Sequence, residues 1–165
     1  MLEEFDIRYT TLDDLESLTR WMAEPGATDD FIFDENEMEP ALKNWIGFSK
    51  YKASLTGTWK GEPCAVGTLF LMPYLKVSHH CSFYLIVDPE HRRKGIGASM
   101  VRNLLHLAKT RFRLESVHVE IFEPSSLLSI LQKLDFNLFA RQEGYIKVQG
   151  CPRARLLLEH FFKDE

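Results

Sequence analysis

Residues 87–98 read Val87-Asp88-Pro89-Glu90-His91-Arg92-Arg93-Lys94-Gly95-Ile96-Gly97-Ala98, and their order decides the fold. An apolar run ends at Asp88-Pro89, where proline fixes φ and cannot donate to a strand ladder. A helical pattern begins after Gly95. Ile96, Met100, Val101, Leu104, Leu105, Ala108 and Phe112 recur on one face, with Arg102, His106 and Lys109 opposite. A strand therefore runs through a glycine-containing turn into a helix. The free N–H groups of a helix start point along its axis, and the helix dipole adds partial positive charge there. Gly95 and Gly97 bring no side chain to hold an anion off the backbone, and Arg92, Arg93 and Lys94 add three cations. The stretch predicts a site for a phosphate-bearing ligand. A Walker loop needs GxxxxGK[ST], which is absent, and a Rossmann fingerprint needs a third glycine where Met100 stands.

Outward from this stretch, elements alternate. Phe5–Tyr9 reads as a strand. Thr11 caps a helix through Leu12, Leu15, Leu18, Trp21 and Met22 that ends near Pro25-Gly26. Pro40 starts a second helix with Leu42, Trp45, Ile46 and Phe48 on one face. Strand-like runs follow at Ala53–Lys60, Cys64–Met72 and His80–Val87, the first two joined by a turn at Gly61-Glu62-Pro63. Beyond the central helix come a strand at Val117–Phe122 and a short helix opened by Pro124 and Ser125-Ser126. Two closing strands, Leu138–Val148 and Arg153–Phe162, turn at Gly150-Cys151-Pro152. The strand–helix–strand order in the middle demands a parallel crossover. The fold class is α/β, an α+β mixed sheet, with about seven strands and four helices in the order β-α-α-β-β-β-α-β-α-β-β, in a single domain over residues 1–165.

The spacing Arg92-x-x-Gly95-x-Gly97 resembles the acetyl-CoA signature [Q/R]-x-x-G-x-[G/A] of the GNAT superfamily of N-acyltransferases. The likeness extends over nearly the whole chain. The family's signature follows its fourth strand and a V-x-P turn, as Val87-Asp88-Pro89 does, and Leu134-Asp135-Phe136 looks like its Leu-Gly-Phe element with one substitution. The resemblance implies acetyl-CoA as co-substrate, with its pantetheine arm along Leu85, Ile86 and Val87. The pyrophosphate would sit over the amides from Arg93 to Ala98, beside Arg92 and Lys94 and including Gly95, Ile96 and Gly97. A backbone N–H near Leu85–Val87 would receive the oxyanion. Where the family often ends its fifth strand in Asn, this chain has Glu123, and Ser125 or Ser126 would supply the hydrogen-bond donor instead.

Acetylating an amine requires removing a proton from an ammonium of pKa near 10 and often returning one to the thiolate. The positions that carry the family's usual base and acid hold Cys81 and Leu131. The chain's own candidates are His80, with His79 and Ser82 beside it, Glu120 on the neighbouring strand and Tyr145 on the sixth; a water is the other route. Cys81 would be a nucleophile only with a stabilised thiolate. The resemblance bounds the acceptor pocket by the segment around the first two helices, here the acidic block from Glu24 to Glu39 with seven carboxylates and no Lys or Arg. That block predicts a cationic amine acceptor, a small molecule or a peptide N-terminus, or else a solvated loop surface. Without the usual base and acid, a non-catalytic acyl-CoA-binding or sensor domain is the alternative function.

Composition fits this reading. The 165 residues are 45% hydrophobic, 12% aromatic and 27% charged, enough for a core and unlike a disordered chain. The net charge of −4 divides into −9 over residues 1–50 and +5 over residues 51–165. No basic stripe with interleaved aromatics predicts nucleic acid binding. Apolar runs stay below a membrane span, and the acidic start MLEEFDIRYTTLDD does not read as a secretory signal. The odd cysteine count, at Cys64, Cys81 and Cys151, suggests free thiols, no structural metal and a cytoplasmic location. The apolar Leu156–Leu158 and Phe161-Phe162 serve either the core or a homodimer contact.

Overall fold

A computed structural model describes residues 4–164; residues 1–3 and 165 of the expected single domain lie outside the described residues. Seven strands form one sheet in the order β1-β2-β3-β4-β5-β7-β6. They are β1 (Phe5–Tyr9), β2 (Ser54–Trp59), β3 (Glu62–Leu71), β4 (His80–Val87), β5 (Ser116–Phe122), β6 (Asn137–Val148) and β7 (Cys151–Phe161). The helices are α1 (Leu15–Met22), α2 (Met38–Gly47), α3 (Ile96–Thr110) and α4 (Leu127–Lys133). Among the described residues, only β4 and β5 pair in parallel; the other neighbours are antiparallel. The element order agrees with the sequence reading.

Local departures have local causes. Leu12–Asp14 forms a 3-10 turn before α1 instead of its first turn. The second helix starts at Met38, not Pro40: Pro40 is its third residue, and the first-turn N–H groups need no partner. β7 begins at Cys151, inside the expected turn, because left-handed Gln149 and Gly150 complete the reversal. Helix α4 ends in a Schellman motif. Phe136 N–H donates to Leu131 C=O at 3.0 Å and Asp135 N–H to Gln132 C=O at 3.3 Å, with Leu131 and Phe136 both buried. Asp135 takes the left-handed residue at φ +64, the place glycine fills by preference.

Strand alternation divides two cores between the faces of the sheet. Helices α3 and α4 cover one face with Met100, Leu104 and Leu131 against Cys81, Phe83, Val119 and Leu156. Helices α1 and α2 cover the other with Trp21, Leu42 and Trp45 against Val66 and Ile86, and Tyr84 packs at its margin. Thr10, Asp14, Ser54, Thr56 and Thr68 are buried together near β1 and β2. Asp14 accepts from Arg8 twice at 2.8 Å, and from Thr11 N–H and the Thr56 hydroxyl at 2.9 Å each. Burial alone would raise the Asp14 pKa, but the bonds from Arg8, Thr11 and Thr56 more than offset it, so the net shift is downward. Its stabilisation is therefore in force above the ordinary carboxylate range and lost as pH falls through the lower native value. Asp14→Asn should cost about 2 kcal/mol at pH 7, and denaturant melts of the two proteins should converge in acid.

Candidate functional site

The parallel β4–β5 ladder is short. It pairs His80 with Ser116, Cys81 with Val117 and Ser82 with His118, and then stops. Beyond Ser82, β4 stays bonded to β3 through Val87 and β5 to β7 through Phe122, so the two strands diverge with their facing edges unpaired. The gap opens a cavity of about 540 Å³. Its walls are Phe83–Val87 from β4 and Val119–Ile121 from β5; the start of α3 and residues 125–130 close one side, and Ala27, Asp30 and Phe31 the other.

At one end of the cavity lies the turn quoted above. Arg93 at φ +63 and Gly95 at φ +79 are both left-handed, and Gly95 is the N-cap of α3. The first intrahelical donor of α3 is Ser99, whose N–H reaches Gly95 C=O at 3.2 Å, so the N–H groups of Ile96, Gly97 and Ala98 precede the helical ladder. A Cβ on Gly97 would lie 3.4 Å from Ile130 Cδ1, so glycine also permits the close approach of α4. Ser125 and Ser126 both line the cavity; the Ser125 Oγ accepts from Leu127 N–H at 3.2 Å, which leaves its O–H free to donate.

The structure sorts the sequence candidates. Leu85, Ile86, Val87, Arg92, Arg93, Gly95, Ile96, Gly97, Ala98, Glu120 and Ser126 all line this one cavity. Lys94 instead lays its Nζ 4.4 Å from the Trp59 ring centroid. Tyr145 stacks on Phe122, with centroids 6.3 Å apart, and lies under the Arg155 guanidinium at 4.4 Å. His80 lies where β4 and β5 are still paired, and bonds His118 at 3.2 Å in a separate cleft with His79, Glu115 and Phe161. Burial and the neighbouring His80 lower the His118 pKa. Cys81 is wholly buried on the α3–α4 side, and burial pushes its thiol up to about 12, so it is not a nucleophile. Among the described residues, no group of three or more His, Cys, Asp or Glu is placed to hold a metal ion, and no helix is long and apolar enough to cross a membrane.

The acidic block does not act as one lip. Asp34 and Glu37 cap a turn: the Asp34 carboxylate accepts from Glu35 N–H and Glu37 from Asp34 N–H. Glu39 pairs with Lys43. Asp30 alone of the seven carboxylates reaches the cavity wall; burial raises its pKa, and the charges of Arg153 and Arg92 pull it back. Glu123 turns away from the phosphate turn to Arg141, which donates to it at 2.6 and 2.9 Å and lowers its pKa.

The sequence reading passes over Tyr84, Arg153 and Arg155. Tyr84 lines the cavity, its ring packed 5.3 Å from Phe31 and 5.4 Å from Trp45. Burial, and then the charge of Glu120, raise its pKa, so the hydroxyl stays protonated at neutral pH. Alternation along β4 would have revealed it, since Ser82, Tyr84 and Ile86 share the face opposite Cys81. Glu120 Oε2 accepts from Arg155 Nε at 2.5 Å, and Arg153 bonds the loop at Asp29. The Arg-x-Arg spacing places both arginines on one face of β7.

Comparison with known proteins agrees with this geometry. The sequence model of the acetyltransferase (GNAT) family matches residues 15–130. No curated protein matches the sequence. Solved structures share the fold at low identity. A GNAT-family acetyltransferase from Streptococcus pneumoniae superposes with a TM-score of 0.84 at 15% identity, over 96% of this chain and 100% of its own. A protein from Salmonella typhimurium solved with its cofactor acetyl-CoA gives 0.82 at 14%, over 99% and 96%. A ribosomal-protein-alanine N-acetyltransferase from Brucella melitensis gives 0.79 at 17%, over 95% and 99%.

Proposed function

Because the chain belongs to the acetyltransferase (GNAT) family, we propose that it moves the acetyl group of acetyl-CoA to a primary amine. The observation that carries this reading is one continuous cavity that joins the amide turn at residues 93–98 to the unpaired edge of β4 and then to Tyr84 and Glu120. Acetyl-CoA supplies the activated acetyl group and leaves as a thiol. The fit is chemical as well as spatial. Free helix-start amides and Arg92 suit a diphosphate, and the edge of β4 that faces β5 along residues 85–87, unpaired past Ser82, suits the amide-rich pantetheine arm and the acetyl carbonyl oxygen.

The acceptor amine enters as an ammonium, drawn by Asp30 and Glu120, so the reacting end is cationic, whether it belongs to a small molecule or to a peptide N-terminus. Glu120 removes its proton, directly or through a water. Its Oε1 has no partner among the described residues, while Oε2 is fixed by Arg155. Tyr84, held protonated, is the donor for the departing sulfur. Release of free thiol from acetyl-CoA in the presence of a panel of primary amines tests the reading. Glu120→Gln should lower kcat roughly 100-fold with acetyl-CoA affinity retained. Tight acetyl-CoA binding with no thiol release from any amine would replace the enzyme with a non-catalytic acyl-CoA sensor.

A further inference from the structure

We propose that the acceptor is zwitterionic, a free amino acid or a compound built like one, whose anionic group sits beside the amine that is acetylated; this rests on the transferase reading above. The proposal comes from a pair of opposite charges, each with one group left over. Glu120 and Arg155 lie on the adjacent strands β5 and β7, joined by the Nε–Oε2 bond, with side chains 18% and 25% exposed. Arg155 Nη1 donates to Gln142 Oε1 at 2.8 Å. Among the described residues, Arg155 Nη2 and Glu120 Oε1 have no partner. The other two arginines of β6 and β7 use all three of their nitrogens, Arg141 on Glu123 and Glu143, Arg153 on backbone carbonyls. Among the described residues, Arg155 is thus the one arginine of the three with a nitrogen, Nη2, that makes no hydrogen bond.

Its orientation is fixed. The Tyr145 ring under the guanidinium is itself stacked on buried Phe122. The α1–α2 core reaches only β3 and β4 of the sheet, so those helices leave this face of β5 and β7 uncovered. An acceptor carrying only positive charge would meet Glu120 and bring a like charge up to Arg155. An amino acid presents its ammonium to Glu120 and its carboxylate to Arg155 and leaves neither charge unmatched.

The test measures thiol release by the full chain with acetyl-CoA and free amino acids, each compared with its decarboxylated amine, and with spermidine. The best amino acid should exceed its decarboxylated amine by about 10-fold or more in kcat/KM. Arg155→Gln should abolish that preference: both substrates slow because Glu120 loses the guanidinium that fixes its Oε2, and the amino acid slows about 10-fold more because it also loses the partner of its carboxylate. Spermidine or a decarboxylated amine as the best acceptor would overturn the proposal, and so would an equal loss on both substrates in Arg155→Gln. No release from any amine would overturn the transferase reading itself, and the proposal with it.

Discussion

Gly97→Glu should weaken acetyl-CoA binding by roughly 100-fold or more by titration calorimetry while leaving the melting temperature close to that of the parent. Position 97 lies in the first turn of α3, among N–H groups that precede the helical ladder. A carboxylate there is favourable to the helix, since it faces the positive end of the dipole, yet it occupies the amides that a diphosphate needs and repels it. The added Cβ alone is tight, 3.4 Å from the terminal methyl of Ile130, which is the mobile end of its side chain. Gly97→Ala, with the same Cβ and no charge, separates the two effects and should bind within a few-fold of the parent. Parent-like affinity in Gly97→Glu would remove the amide turn from the binding site.

Arg153→Ala should lower stability by roughly 3 kcal/mol, a fall in Tm of about 10 °C for a chain of this size, and raise the acceptor KM more than the acetyl-CoA Kd. The side chain is 13% exposed and its guanidinium binds four carbonyl oxygens. It reaches Phe122 at 2.9 Å, Glu123 at 2.8 Å and Pro124 at 2.9 Å where β5 turns toward α4, and Asp29 at 2.6 Å in the loop between α1 and α2. That loop supplies Asp30 and Phe31 to the cavity, so Arg153 holds the acceptor-side wall against the wall that α4 continues. Arg153→Lys should recover only part of the loss, because an ammonium carries three donors and lacks the planar fork. Unchanged melting and an unchanged acceptor KM in the alanine variant would show that the loop is held by the Phe31 ring contacts alone.

Local signals carried the architecture. The bounds of β4 coincide with the apolar run His80–Val87, and helical spacing marks α3. The phosphate turn was legible because its determinants lie within a dozen consecutive residues. What stayed hidden depends on pairing across the sheet. The cavity opens only past the Ser82–His118 pair, so His80, close in sequence to Tyr84, is held in a paired ladder while Tyr84 meets the gap. The same dependence misled the reading of charge. Asp34, Glu37 and Glu39 look like a substrate-facing lip, but their partners are a neighbouring amide, a cap and Lys43. Glu123 reads as an intruder beside a phosphate until Arg141, 18 residues further on, is seen to hold it.

The most direct measurement is a crystal structure with coenzyme A bound. The expected complex has the diphosphate within hydrogen-bond distance of the N–H groups of residues 93–98, with the pantetheine arm between β4 and β5 and its thiol near Tyr84 and Glu120. Coenzyme A seated instead in the cleft of His80 and His118, or a strand gap closed by the protein's own chain, would contradict it.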